Sequence, residues 1–225
     1  MSRYSRLLEL KDIDLEQLLS LTQKRVLIIG VGGVGQHVST YLVTNGVTNL
    51  TIVDYDKVEL SNLNRQILLS ELDLGKLKVD VVKSALLSRN SEAHINSINL
   101  KVDESNIDEL VKGYDLVIDA VDNWKSKLII AKACKDKHIP FLHIGVDGYK
   151  GQYCLFKSNS LLDIAKPDII SSPKDGVLGP MVGVISSLAS LLTIKYFLGD
   201  ESKVDRLFYF DYQSSRFIET DISQD

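Results

Sequence analysis

The chain has 225 residues, 44% of them apolar, which is enough for one large core and short for two independent enzymatic domains. A formal charge of −4 and an isoelectric point near 5.6 exclude a general electrostatic attraction to nucleic acid or anionic membranes, so any phosphate recognition has to be local. Cys134 and Cys154 are the only cysteines and stand in unrelated contexts, which excludes a cysteine-rich zinc cluster and argues against a disulfide framework.

Met1 is followed by a polar, charged segment, Ser2 to Arg6, without an apolar core of a signal peptide, so a cytoplasmic protein is expected. Runs rich in Val, Ile and Leu then alternate with helical patterns. A strand over 25–30, a helix over 34–45 and a strand over 49–54 make a first βαβ unit. A polar connection leads to a helix over 76–89, then to strands over 94–100, 115–120 and 141–144, with helices over 105–111 and 124–136 between them. This alternation predicts an α/β fold, a Rossmann-like, doubly wound and mostly parallel sheet in a single domain.

Beyond residue 150 the pattern changes. A strand over 152–156 precedes a polar loop over 158–176 that contains Pro167 and Pro173. Gly179-Pro180 starts a helix that runs to Leu198 and that Gly199 ends. Two additional C-terminal strands, 206–211 and 216–220, read as a hairpin. The expected organisation is one domain over 1–225, with a nucleotide-binding part over 20–157 and a part over 158–225 made of a crossover loop, an interface helix and the hairpin. The helix is apolar enough to invite a membrane-spanning reading, but it carries Ser186, Ser187, Ser190, Thr193 and Lys195 and is barely of spanning length. A place in the core or at a subunit interface fits better. Its small residues Gly183, Ser186, Ser187, Ala189 and Ser190 suit either close approach by a second subunit or burial within one.

The chemistry starts at Gly30-Val31-Gly32-Gly33-Val34-Gly35, a G-x-G-x-x-G motif between a predicted strand and a predicted helix, where backbone amides and the positive helix end receive phosphate. Asp54 ends the next strand about twenty residues on, where a carboxylate accepts hydrogen bonds from ribose hydroxyls. Together they point to a nucleotide with a free ribose diol, and by themselves they favour NAD over ATP. Past Asp54, the residues Asp56, Asn62, Arg65 and Gln66, followed by Lys76 and Lys78, supply the polar and basic groups that can line a triphosphate crevice. A solvated loop with ordinary surface charge is the competing explanation.

That ordered set resembles the ThiF/MoeB/HesA branch of the ubiquitin-activating enzyme superfamily over nearly the whole chain. The matching stretches are Arg3-Tyr4-Ser5-Arg6, the glycine motif, Val53-Asp54-Tyr55-Asp56, Ser61-Asn62-Leu63-Asn64-Arg65-Gln66 and Gly75-Lys76-Leu77-Lys78-Val79. Further on come Asp119-Ala120-Val121-Asp122-Asn123, Gly151-Gln152 and the run from Gly176 to Ile185. The resemblance implies an ATP-dependent adenylyltransferase that activates the C-terminal carboxylate of a small ubiquitin-like carrier protein ending in Gly-Gly. It implies that Gly30, Gly32, Gly33, Gly35, Asp54, Asp56, Asn62, Arg65, Gln66 and Lys78 bind ATP. It also implies that Arg6, Arg65, Lys78 and Asp122 are catalytic. In that scheme Asp122 coordinates magnesium, and Arg6 reaches into the neighbouring subunit's site, which requires a homodimer. Capping of the helix at Trp124 is the plainer use of Asp122.

The departures from the family pattern matter as well. Two Cys-x-x-Cys pairs found in many relatives are absent, so no zinc is expected; the 158–176 loop has no cysteine, and Leu7 stands where many relatives have glutamine. Cys134 and Cys154 read as small hydrophobic residues, and His37, His94, His138 and His143 as structural or surface histidines, with His143 a conceivable border of a substrate tail. Three other readings stay open: adenylation of a peptide C terminus in peptide-antibiotic maturation, a tRNA-modifying dehydratase, and a NAD-binding Rossmann protein. Neither nucleic acid nor a membrane is expected as a partner.

Overall fold

The computed structural model describes residues 2–165 and 176–222. One sheet of eight strands organises them, in the order β3-β2-β1-β4-β5-β6-β7-β8. β1 (Arg25–Ile29), β2 (Asn49–Asp54), β3 (His94–Asn99), β4 (Leu116–Asp119) and β5 (Phe141–Asp147) run parallel. β6 (Lys150–Phe156), β7 (Arg206–Asp211) and β8 (Arg216–Asp221) continue the sheet antiparallel from β5. The order reverses between β1 and β4, and such a switch point opens a crevice at the carboxyl ends of the strands.

Both faces of the parallel half are covered, which is why β1 is aliphatic throughout its buried length. Val26 and Ile28 face a core shared with α1 (Leu15–Gln23), α2 (Gly33–Thr44), α3 (Lys78–Arg89) and α7 (Gly179–Phe197). Leu27 and Ile29 face a second core with α4 (Ile107–Leu110), α5 (Trp124–Asp136) and α6 (Leu161–Ile164). Two of these helices were not expected. α1 buries only Leu18 and Leu21 and starts at a capping box between Asp14 and Gln17. α6 is a single turn capped by Ser160 inside what reads as polar loop; residues 166–175 of that loop, with Pro167 and Pro173, lie outside the described residues.

α7 has the length and hydropathy of a membrane span, yet half of it is buried in this fold. Ser186, Ala189 and Ser190 pack inside the chain together with Met181, Ile185 and Leu192. Burial within one subunit therefore explains these three small residues. Val184 and Leu191 stay exposed, one helical heptad apart.

In the antiparallel half, directly opposed residues share a face. Gly145, Gln152, Tyr209 and Ile218 form one such row across β5 to β8, ending in Ile218 at 43% exposure. The opposite face carries Tyr153 and Phe208, stacked at 4.9 Å and covered by the core of α7.

Candidate nucleotide site

The glycine motif leaves β1 at the switch point. Gly30 has φ +93°, and a Cβ there would stand 2.7 Å from the Ala120 carbonyl oxygen; a Cβ on Gly35 would stand 2.1 Å from the Gly30 carbonyl oxygen. Only glycine lets the strand, the turn and α2 close so tightly. Gly32 is the N-cap of the twelve-residue α2 and offers no side-chain bond to it, so the first amides of α2 lack a side-chain acceptor and point their partial positive charge into the crevice.

Asp54, at the end of β2, accepts the Val31 amide on Oδ2 and the Asp56 amide on Oδ1, both at 2.8 Å. Burial pushes its pKa up, against the pull of those two amides and of Lys78. Each oxygen keeps a second lone pair for a ligand hydroxyl. Lys78, the first residue of α3, is almost fully buried and pairs with Asp56 Oδ2 at 2.9 Å, while the Asp56 side chain remains 47% exposed.

The loop between them folds back over α2. Asn62 is buried, accepts the Glu59 amide at 3.1 Å and closes the 3-10 turn Leu60–Asn62. Gln66 is buried too and accepts from Gln36 Nε2 at 3.2 Å. Gln36 in turn accepts the Leu68 amide and donates to the Val31 carbonyl, so it ties the loop to the glycine motif. Nothing in the sequence singles out Gln36. The half-buried Arg65 donates to the Ser61 carbonyl and to Asn64 Oδ1, and its backbone oxygen would lie 3.2 Å from a Cβ on Gly33. It therefore stands beside the N terminus of α2.

Asp122 follows the turn after β4 and is exposed. It does not cap α5; Asn123 does, accepting the Ser126 amide at 2.9 Å. The Asp56 charge, then burial, then the Asp122 charge push the Tyr55 phenol up, so both carboxylates are felt at that phenol. Arg6 is not part of this cluster: it pairs with Glu9 at 2.8 Å, 88% exposed. Arg3 donates to the Arg89 carbonyl and the Tyr4 hydroxyl accepts from Asn90, so this segment is anchored at the far end of α3 from Lys78. Twelve helical residues separate the two ends by about 18 Å.

His143 lies inside β5 and is fully buried. Its Nδ1 donates to Asp119 Oδ2 at 3.0 Å, and Lys127 reaches the same oxygen at 2.9 Å. Burial pushes His143 down, so it is neutral; Lys127 and His143 together hold Asp119 below the usual carboxylate range in spite of its burial. Both cysteines are buried, with the Cys134 thiol pushed up to about 12 and Cys154 higher still, which removes them as thiolate nucleophiles.

The arrangement is that of a nucleotide-binding α/β enzyme. Arg65 stands beside the N terminus of α2, Lys78 lies near Asp54, and among the described residues of this cluster there is no activated nucleophile, an arrangement that can serve a transfer working by positioning and charge neutralisation. The chain belongs to the ThiF family, whose model matches residues 4–225. A molybdopterin-synthase adenylyltransferase of Haemophilus influenzae is 34% identical over 200 residues, which cover 86% of this chain and 82% of that protein. Crystal structures of Escherichia coli MccB match it in shape, with TM-score 0.87 at 26% identity for the form with ATP, over 99% of this chain and 72% of the other. For the form with MccA the TM-score is 0.89 at 25% identity, again over 99% and 72%. This protein is an adenylyltransferase, and the nicotinamide reading that the glycine motif alone favours is set aside.

Proposed function

We propose that the enzyme uses ATP to activate the C-terminal carboxylate of a small ubiquitin-like sulfur-carrier protein of the ThiS or MoaD type, forming an acyl-adenylate. The carboxylate oxygen attacks the α-phosphorus, the bond from that phosphorus to the β-phosphate bridging oxygen breaks, and pyrophosphate leaves. What carries the proposal is the cluster of Arg65, Lys78 and the α2 amides at the switch point. The name of the 34%-identical relative supports the sulfur-carrier class.

In this scheme the second lone pairs of Asp54 receive the ribose hydroxyls. Arriving phosphate competes with Asp56 for Lys78, and Arg65 swings from its loop carbonyl to the departing pyrophosphate; Asn62 and Gln66 hold the loop that carries it. Asp122 suits magnesium, an ion that takes one or two protein carboxylates and completes its shell with phosphate and water. Bound there, magnesium would neutralise phosphate charge. Arg6, remote from the cluster of its own chain, serves a second subunit in a cytoplasmic homodimer.

A second reading, adenylation of a peptide C terminus, is favoured by the likeness to MccB with MccA. Pyrophosphate exchange with ATP, run with Gly-Gly carriers and with short peptides, separates the two. Carrier-dependent exchange is expected, exchange with peptides alone selects the second reading, and exchange with neither sinks both. For the dimer, Arg6→Ala and Arg65→Ala should each be nearly inactive, and mixing them should restore activity through a heterodimer with one intact site. A proven heterodimer without activity removes Arg6 from the partner's site.

A further inference from the structure

β4 reads Leu116, Val117, Ile118 and then Asp119, three aliphatic residues and a carboxylate, all at 0% exposure. The two oxygens of Asp119 have separate work. Oδ2 accepts from Lys127 of α5 and His143 of β5. Oδ1 accepts the Val121 amide at 3.2 Å and so shapes the turn that lays the Ala120 carbonyl over Gly30 and presents Asp122. Lys127 also donates to the Ile144 carbonyl at 2.9 Å, and the Gln152 amide nitrogen of β6 lies 3.1 Å from His143 Nε2. With Nδ1–H directed at Asp119, Nε2 is the acceptor, so every ring nitrogen and carboxylate oxygen has a partner. The Trp124 ring stacks on His143 at 5.9 Å.

Stability does not call for this arrangement. A sealed ion pair holds a core no better than well-packed apolar groups of the same volume, and Val117, Phe141 and Cys154 serve that purpose in the same core. What polar groups from β4, α5, β5 and β6 add is orientation, delivered at the strand end next to the glycine motif.

We infer that Asp119, oriented by Lys127 and His143, is a positioning residue for adenylyl transfer, fixing the turn that sets Asp122 and the Ala120 carbonyl against the glycine motif. The inference rests on the proposed roles of Asp122 and that motif. The test uses His143→Leu, which keeps the ion pair, and the double variant Asp119→Leu with Lys127→Met, which replaces the pair by apolar groups and leaves no buried charge unpaired. Lys127→Arg is the conservative control. Three quantities are read in full-length protein whose circular dichroism matches wild type. They are kcat and KM for ATP in pyrophosphate exchange, and hydrogen exchange of the Val121 amide relative to β1 amides.

In His143→Leu, kcat should fall about tenfold, and in the double variant about a hundredfold, with KM for ATP changing less than about threefold. The Val121 amide should exchange about tenfold faster while the β1 amides keep their protection. Lys127→Arg should retain kcat within about threefold of wild type. Wild-type kcat in either folded apolar variant overturns the inference, whatever the Val121 amide does, and so does a loss that only tracks the folded fraction. If the wild-type protein itself shows no exchange with any substrate, the proposed function fails instead. The Val121 amide then still decides the anchoring: unchanged protection in the double variant overturns it.

Discussion

Lys78 and Lys127 look alike in local terms. Each lies in the first turns of the helix that follows a strand, and each holds a carboxylate at 2.9 Å. The lysine side chains are equally covered, 7% and 8% exposed. Their partners are not: Asp56 is 47% exposed and Asp119 is 0% exposed. An open carboxylate stays hydrated when its lysine leaves, so Lys78 is available to a phosphate at little cost. A sealed carboxylate has no such alternative, so Lys127 is committed to the fold. The exposure of the acid, not the length of the bond, separates a lysine that can leave its partner from one that cannot.

The largest expected effect breaks or upholds that contrast directly. Lys127→Met leaves the buried Asp119 charge without its cation, with only the neutral His143 and Val121 N–H donors, and should destabilise the protein by about 3–5 kcal/mol. Lys78→Met should cost no more than about 1 kcal/mol. Urea unfolding of both variants measures the difference, and equal losses would erase the distinction. Turnover should invert the order of importance at the cluster: Lys78→Met and Arg65→Ala are each expected to lower kcat of pyrophosphate exchange by about 10²–10³, with little loss of stability.

A smaller effect belongs to Asp54. Asp54→Ala should weaken ATP binding by about 1.5–3 kcal/mol for each lost bond to the carboxylate, measured by titration calorimetry. The pH dependence has a definite sign. Burial raises the pKa of Asp54 in the folded state, so as pH falls this group takes up its proton earlier than an ordinary carboxylate and stops accepting both ribose protons. ATP affinity should therefore decline on acidification before the exposed carboxylates titrate. That proton uptake by Asp54 itself favours the folded state, because a raised folded pKa costs stability above it and returns it below. Asp54→Asn should flatten the affinity profile; an unaltered profile would assign the acid limb to another group. The smallest expected effect is on the thiols: with Cys134 pushed up to about 12 and Cys154 higher, native protein at pH 8 should resist iodoacetamide, and rapid labelling by mass spectrometry would contradict their burial.

The amino-acid sequence alone determined the parallel half of the sheet. β2 and α5 fall on the predicted bounds 49–54 and 124–136, because aliphatic runs and helical periodicity are local signals that each segment carries for itself. The strand–turn–helix at the glycine motif and the place of Asp54 at the end of β2 were legible too, since that local geometry is written in consecutive residues. Elements whose existence depends on neighbours were not. α1 has only two buried residues to announce it, α6 is one turn, and β5 runs on to Asp147 past the expected 144 because β6 pairs with it there. The same holds for the network under the site. His143 meets Asp119 across 24 residues, Lys127 meets it across 8 and Gln152 meets His143 across 9, on four separate elements. The resemblance marks Asp119 and Gln152, but nothing along the chain says that Lys127 and His143 meet them. Only the tertiary structure, by sealing Asp119 from water while leaving Asp56 open to it, decided which lysine holds the fold and which is free to meet a ligand.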